Sequence, residues 1–213
     1  MKHYDNHEIE NNLYLKGYQM IAGTDEVGRG PLAGPVVAAA VIMPKDCYIE
    51  GVTDSKKVSE KNRKILKDLI VEKAIAYQVI FIDPKKIDEI NIYEASRFAM
   101  TLAIKGLNVK PDYILADAMK LDLDVPSEAI IKGDEKSFTI ACASILAKVA
   151  RDDYMVELDK EYPMYGFAKH KGYPTKMHMN AIKEYGILSK HHRKSYAPVA
   201  KEAENNNYFT KEK

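Results

Sequence analysis

The sequence predicts an α/β domain, and three observations predict it. Short runs of small and β-branched residues, MIAGTDE (20–26), VVAAAVIM (36–43), AYQVIFID (76–83) and DYILAD (112–117), read as buried strands. Stretches with apolar residues at helical spacing lie between and after them. The 213 residues are 46% hydrophobic and 30% charged, a globular balance with enough chain for one sizeable core.

The elements follow in order. The opening MKHYDNHEIENN is polar and partly acidic and carries no signal-peptide core, so residues 1–19 form a segment ahead of the domain. A glycine- and proline-bearing turn joins the first two strands, which predicts a hairpin. Residues 59–74 form a helix with Ser59 as its cap and Ile65, Leu66, Leu69 and Ile70 as its apolar face. One helix is expected over 84–105. PSEAIIKG (126–133) offers a further strand. The longest helical pattern covers 137–160, with Ile140, Ala143, Ile145, Leu146 and Val149 inward. A basic, glycine-punctuated and partly helical region spans about 163–198, with a helix near 175–185, and a polar tail takes up 199–213.

No apolar run reaches the ~20 residues that span a bilayer. The two cysteines, Cys47 and Cys142, lack metal spacing, and a reduced cytoplasmic setting follows. Net charge is only +1, but its distribution is uneven. Residues 169–198 carry Lys169, Lys171, Lys176, Lys183, Lys190, Arg193 and Lys194 against the single acid Glu184, together with His170, His178, His191 and His192. Such a face fits either a polyanion partner or plain solvation.

The most informative stretch is GTDEVGRGPLAG (23–34). Gly28, Gly30 and Ala33 fit a loose dinucleotide-binding pattern, but Pro31, Pro35 and a following strand stand where that pattern needs a helix. A Walker loop fails for want of G-K-[ST], and the histidines lack zinc spacing. Asp25 and Glu26 end a buried strand, where bare carboxylates are costly. They need a cation: either Arg29 or a lysine, or a metal. A metal would recruit other acids. Asp117 ends the strand DYILAD as Asp25 ends its own. Asp134 precedes the long helix, where it serves as cap or ligand, and Asp122 and Asp124 compete with it. Four carboxylates on adjacent elements suit Mg²⁺ or Mn²⁺, and two such ions hydrolyse phosphodiesters. The cations would then explain why paired negative charge sits beside a loop built for a negative ligand.

Six blocks, GTDEVGRGPLAGPVVAAAVI, DSKK, ADA, IKGDEKS, ASILAKVARD and HKGYPT, occur in the order found in type 2 ribonuclease H, and the chain resembles that family from about residue 20 to 198. The resemblance implies a ribonuclease H-like fold with a mixed five-stranded sheet flanked by helices and a helical C-terminal extension. It implies cleavage of RNA in RNA–DNA hybrids and nicking 5′ of single ribonucleotides in duplex DNA, leaving 3′-hydroxyl and 5′-phosphate ends. By the same resemblance Asp25, Glu26, Asp117 and Asp134 hold two divalent ions, Mg²⁺ or Mn²⁺. Gly28, Arg29 and Gly30 match a loop that reads the 2′-hydroxyl through its backbone, as glycines allow. Tyr173 matches a tyrosine that stacks on the next sugar, and Lys56 matches a lysine that contacts phosphate. Read without the family, Tyr173 is equally a packed loop residue and Lys56 a solvated charge. Asp152 lies in a family motif and reads either as a support behind the metal ligands or as structural, since an Arg-Asp pair within a helix is usually a salt bridge. NNNYFTKEK has aromatics without the glutamine of a sliding-clamp peptide, and a monomer is expected. Two other classes stay open. A junction resolvase would need the acids but no 2′-hydroxyl reader, and a non-catalytic binding module would need the basic stretch but no acids.

Overall fold

The computed structural model describes residues 6–205, which fall into two compact units. The first is drawn from Met1–Val27, Val37–Phe81 and Ser96–Ala150, and the second from Gly28–Val36, Ile82–Ala95 and Arg151–Lys213. The clamp-peptide reading of NNNYFTKEK falls, apart from Asn205, outside the described residues.

The first unit holds a five-stranded mixed sheet in the order β3-β2-β1-β4-β5, as expected. Its strands are β1 (Ile21–Val27), β2 (Val36–Ile42), β3 (Ala76–Ile82), β4 (Tyr113–Asp117) and β5 (Ser127–Ile130). β1 and β2 form the antiparallel hairpin, with Asp25 opposite Ala39, and β1 runs parallel to β4, with Gly23 beside Leu115. Every residue of β2 is buried, as its run of valine and alanine predicts for a strand covered on both faces.

Helix α1 (Glu8–Leu15) forms in the polar N-terminal segment, where no element was expected. Its Leu13 and Tyr14 join Ile21, Leu115, Ile130 and Ile140 in one cluster. Its Glu10 is buried and accepts hydrogen bonds from the Ser137 hydroxyl at 2.6 Å and the Thr139 amide at 2.9 Å, capping the longest helix from outside. Helix α2 (Glu60–Lys73) starts at the expected cap, where Ser59 accepts from the Asn62 amide. Leu66 and Ile70 are buried, but Ile65 is exposed, so the apolar face is narrower than its spacing suggests. The single helix expected over 84–105 is two: α3 (Pro84–Ile90) and α4 (Ile92–Lys105). Asn91 breaks it with φ 66 and then accepts from the Glu94 amide through Oδ1, capping α4.

A short turn of helix, α5 (Gly133–Lys136), precedes α6 (Phe138–Glu161), whose 24 residues match the long pattern. Phe138, Ala141, Ile145 and Val149 pack with Val37, Ala39 and Val41 of β2. The alanine-rich first half of α6 lets helix and sheet approach closely.

The second unit contains a 3₁₀ turn (Pro163–Tyr165), α7 (Phe167–His170), α8 (Lys176–Tyr185) and α9 (Ala197–Asn205). α8 falls where 175–185 predicted it, capped by Thr175. α9 occupies the start of the polar tail because Val199 and Ala203 face inward. Leu32, Ala33, Met155, Tyr165, Phe167 and Ile182 centre this unit's core.

Candidate active site

In the first unit, the sheet places Asp25 and Asp117. Directly opposed strand residues share a face, so Asp25 shares one with Ala39, against which α6 packs. Asp117, two residues beyond Leu115 on the neighbouring parallel strand, shares that same face. Both acids therefore stand at the C-terminal ends of adjacent parallel strands. Glu26 projects to the other face, opposite Ala38.

Asp25 accepts the Glu26 amide at 2.7 Å and a hydrogen bond from Ser144 on α6. Its carboxyl is nevertheless held well above the usual range, by burial first and then by the charges of Glu26 and Asp117. Asp117 is raised by burial, against the Gly133 amide that bonds its Oδ1 at 2.7 Å and the nearby Lys56 ammonium. Asp134 is raised to about 6, by burial, then Asp117, then Asp54, with Lys56 opposing.

Backbone geometry sets these positions. Ala118 (φ 47) follows Asp117, and Lys132 (φ 59) precedes the turn bearing Asp134, so two non-glycine left-handed residues flank the acids. Between them Gly133 is required for space. A β-carbon there would lie 2.6 Å from Ile140 Cδ1 and 3.2 Å from Asp117 Oδ1.

Electrostatics thus links Asp25, Glu26, Asp117, Asp134 and Lys56 into one neighbourhood, while Asp122 and Asp124 are exposed. Sequence reasoning passed over Asp54, the residue that opens DSKK. It is buried, hydrogen-bonds Asp134, and accepts the Lys56 amide at 2.9 Å. An acid two residues before a candidate phosphate-binding lysine was the available signal. Among the described residues, no three His, Cys, Asp or Glu side chains are drawn together tightly enough to hold a metal ion. The chemistry of the donor set still fits a divalent cation, because carboxylates whose ionisation is opposed first by burial and then by neighbouring acids are what a hard cation relieves.

In the second unit, Gly28, Arg29 and Gly30 form a loop held from behind by fully buried Arg193, with fully buried Arg151 packed beside Gly28. Arg193 donates to the carbonyls of Gly28 at 2.7 Å, Arg29 at 3.0 Å and Gly34 at 2.9 Å. Arg151 donates to the carbonyls of Pro35 at 3.0 Å and Lys171 at 3.0 Å. Gly28 has φ +97, and a β-carbon there would fall 2.3 Å from Arg151 Nε, so no other residue fits. Arg151 is lowered to about 10, by burial and then by the Arg193 cation, against smaller pulls from Tyr173 and Asp152. Asp152 is itself buried. Arg193 is thus no part of a solvated basic face, and His170, His178 and His192 are buried too; Lys169, Lys176, Lys183 and Lys190 are exposed.

Tyr173 follows two left-handed residues, Lys171 (φ 51) and Gly172 (φ 82), and is 40% exposed. A β-carbon on Gly30 would meet Tyr173 Cε1 at 3.5 Å, ordinary contact, so the loop and the ring are neighbours. The Leu32 amide donates to the Gly172 carbonyl at 2.8 Å and ties the two segments together.

The family model for ribonuclease HII matches residues 22–199. The ribonuclease HII of Bacillus cytotoxicus is 54% identical over 90% of this chain and 74% of its own length. The ribonuclease H2 of Pyrococcus horikoshii superposes with a TM-score of 0.76 at 28% identity, over 88% of this chain and 98% of that one. A structure of Bst-RNase HIII in complex with Mn²⁺ superposes at 0.67 over 90% of this chain and 71% of that one, and at 17% identity it shows the shared ribonuclease H-like fold alone. The chain is a metal-dependent endoribonuclease with ribonuclease H activity on RNA–DNA hybrids, and it belongs to the ribonuclease HII family.

Proposed function

We propose that this enzyme also nicks duplex DNA on the 5′ side of single embedded ribonucleotides, leaving 3′-hydroxyl and 5′-phosphate ends. In this reading Asp25, Glu26, Asp117 and Asp134 hold two divalent ions, Mg²⁺ or Mn²⁺, with Glu26, whose side chain projects to the other face, joining through its backbone carbonyl. The observation that carries the metal assignment is the placing of buried Asp25 and Asp134 with Asp117 on neighbouring strand ends and the turn before α6, where burial first and neighbouring acids after it raise all three carboxyls. When bound, the ions would supply a hydroxide from water and stabilise the leaving oxygen.

The chain's own residues do the rest. Asp25, held by the Glu26 amide and Ser144, and Asp117, held by the Gly133 amide, are fixed before any ligand arrives. Lys56 places a cation beside Asp117 and Asp134 and contacts a phosphate of the substrate. The backbone of Gly28, Arg29 and Gly30 reads the ribose 2′-hydroxyl, the group that separates RNA from DNA. The Tyr173 ring stacks on the sugar that follows, and its contact distance from Gly30 supports a joint role. Two free cysteines among the described residues agree with a cytoplasmic setting, and the enzyme acts as a monomer.

The test is a nicking assay on a duplex carrying one ribonucleotide, with and without Mg²⁺ or Mn²⁺. Metal-dependent nicking 5′ of the ribonucleotide is expected. Cleavage of long hybrids alone would remove the single-ribonucleotide reading, and nicking of all-DNA duplexes would favour a resolvase-like activity.

A further inference from the structure

Behind Tyr173 lie three buried histidines whose hydrogen bonds determine where each proton sits. His178 Nδ1 is 3.0 Å from the Tyr173 carbonyl, which can only accept, so Nδ1 carries the hydrogen. His178 Nε2 is then a bare acceptor, 3.1 Å from His192 Nε2, which must donate. The far end of the chain requires the same assignment. The Leu188 amide donates to His192 Nδ1 at 2.9 Å, leaving the hydrogen on Nε2; the Leu188 carbonyl is farther from that nitrogen, at 3.3 Å. His170 has its own fixed state, because Nδ1 accepts the Gly172 amide at 3.1 Å and Nε2 donates to the Tyr165 carbonyl at 2.8 Å. His170 stacks on His178 with centroids 4.5 Å apart, and Phe167 packs edge-on against both.

The result is a continuous chain: Leu188 amide to His192, to His178, to the carbonyl of Tyr173. Every member is neutral and in one tautomer. Burial, followed by the neighbouring imidazoles, keeps His178 and His192 far from protonation near neutrality. The chain ends on the carbonyl of a residue that follows left-handed Lys171 and Gly172 and whose other backbone bonds are local: the Tyr173 amide donates to the His170 carbonyl at 2.9 Å, and the Thr175 amide donates to the Tyr173 carbonyl at 2.8 Å.

We propose that His178 and His192 are positioning residues for the reaction: their directional hydrogen-bond chain fixes the backbone of Tyr173, and so the place of its ring against the substrate sugar. His170 holds the preceding residue in the same way. The inference rests on the reading of Tyr173 as a substrate contact.

Three measurements test it. In wild-type protein, ¹⁵N NMR of the imidazoles should show His178 protonated on Nδ1 and His192 on Nε2; the opposite tautomer at His178 would overturn the proposal without any variant. In protein labelled with 3-fluorotyrosine, the Tyr173 resonance, assigned by its loss in Tyr173→Phe, should broaden or shift in His192→Leu. It should stay near its wild-type position in His192→Gln, whose amide nitrogen can replace the Nε2 donor. On a single-ribonucleotide duplex, His192→Leu should lose roughly 10-fold in kcat with KM little changed, since a small misplacement near the reacting atoms costs up to ~100-fold. His192→Gln should recover most of that loss, and His192→Leu should add no further loss in a Tyr173→Ala background. An unmoved fluorine line with a wild-type rate in His192→Leu would overturn the proposal. A wild-type rate in Tyr173→Ala would instead remove the substrate role of Tyr173, while the fluorine line would still report whether the histidines place the ring.

Discussion

The backbone amide of Gly133 donates to Asp117 Oδ1 at 2.7 Å, so a turn at the start of one helix aims the carboxylate that ends a strand. A methyl group on that glycine would press on the same oxygen and on the tip of Ile140. The Ile140 tip can move, so Gly133→Ala should cost only about 1–2 kcal/mol of stability. The displaced Asp117 should cost more than 10-fold in kcat and raise the metal concentration needed for half-maximal rate. Thermal melting beside a Mg²⁺ titration of activity checks both halves.

Asp25→Asn and Asp117→Asn should each leave the fold intact and reduce cleavage below a tenth of the wild-type rate with Mg²⁺. An amide fills the same volume but binds a cation poorly. Asp25 is crowded by Glu26 and Asp117, so metal-free Asp25→Asn should melt at or above the wild-type temperature. A folded variant that cuts faster than a tenth would remove that residue from the ligand set.

The second unit should lose stability in mild acid. His178 is lowered to about 4 and His192 to about 3 from ordinary values near 6.5. Because the folded values lie below the unfolded one, the unfolded chain binds more protons between them. Their contribution to stability is therefore fully present above pH ~6.5 and falls as pH drops toward 4 and 3, by on the order of a few kcal/mol. Urea melts between pH 7 and 4 should show this decline, and His192→Gln should make it shallower.

Binding of an RNA–DNA hybrid should weaken steeply with salt. Lys169, Lys176 and Lys183 are exposed, and neutralising all three should reduce the slope of log K against log salt by up to ~0.9 for each lost phosphate contact. Arg193→Met should behave differently. Its guanidinium faces loop carbonyls rather than solvent, so the fold of the loop should suffer while the salt slope stays. A salt titration by fluorescence anisotropy separates the two.

Tyr173→Ala should lose most activity on a single embedded ribonucleotide, up to ~100-fold, whereas Tyr173→Phe keeps the ring face and should keep most of the rate. Metal dependence should be unchanged in both. Rates on a single-ribonucleotide duplex and on a continuous hybrid give the comparison, and equal near-wild-type rates for the alanine variant would return Tyr173 to a loop-packing role.

The strands were legible because a buried strand writes itself as an unbroken apolar run, as β2 does. Asp25 and Asp117 were legible because a carboxylate closing such a run is chemically out of place. The break at Asn91 was hidden, since asparagine is tolerated within a helix and declares itself only through φ 66. Arg193 was misleading for a related reason. Composition puts it in a basic stretch with six lysines, and nothing local tells a buried guanidinium bonded to carbonyls from one in water. α1 was missed because its buried face is short: Leu13 and Tyr14 carry it, and Glu10 is turned inward by partners more than 120 positions away.

The arginine clamp also fixes the polarity of the loop it holds. All described peptide bonds are trans, so the N–H of each unit points opposite to the carbonyl of the residue before it. The Gly28 and Arg29 carbonyls are turned toward Arg193, and the amides of Arg29 and Gly30 must therefore face the other way. A sugar hydroxyl arriving on that side meets hydrogen-bond donors and is engaged through its lone pairs, which leaves its own proton to seek an acceptor elsewhere. A 2′-fluoro sugar, which accepts weakly and donates nothing, would keep only the first of these two contacts.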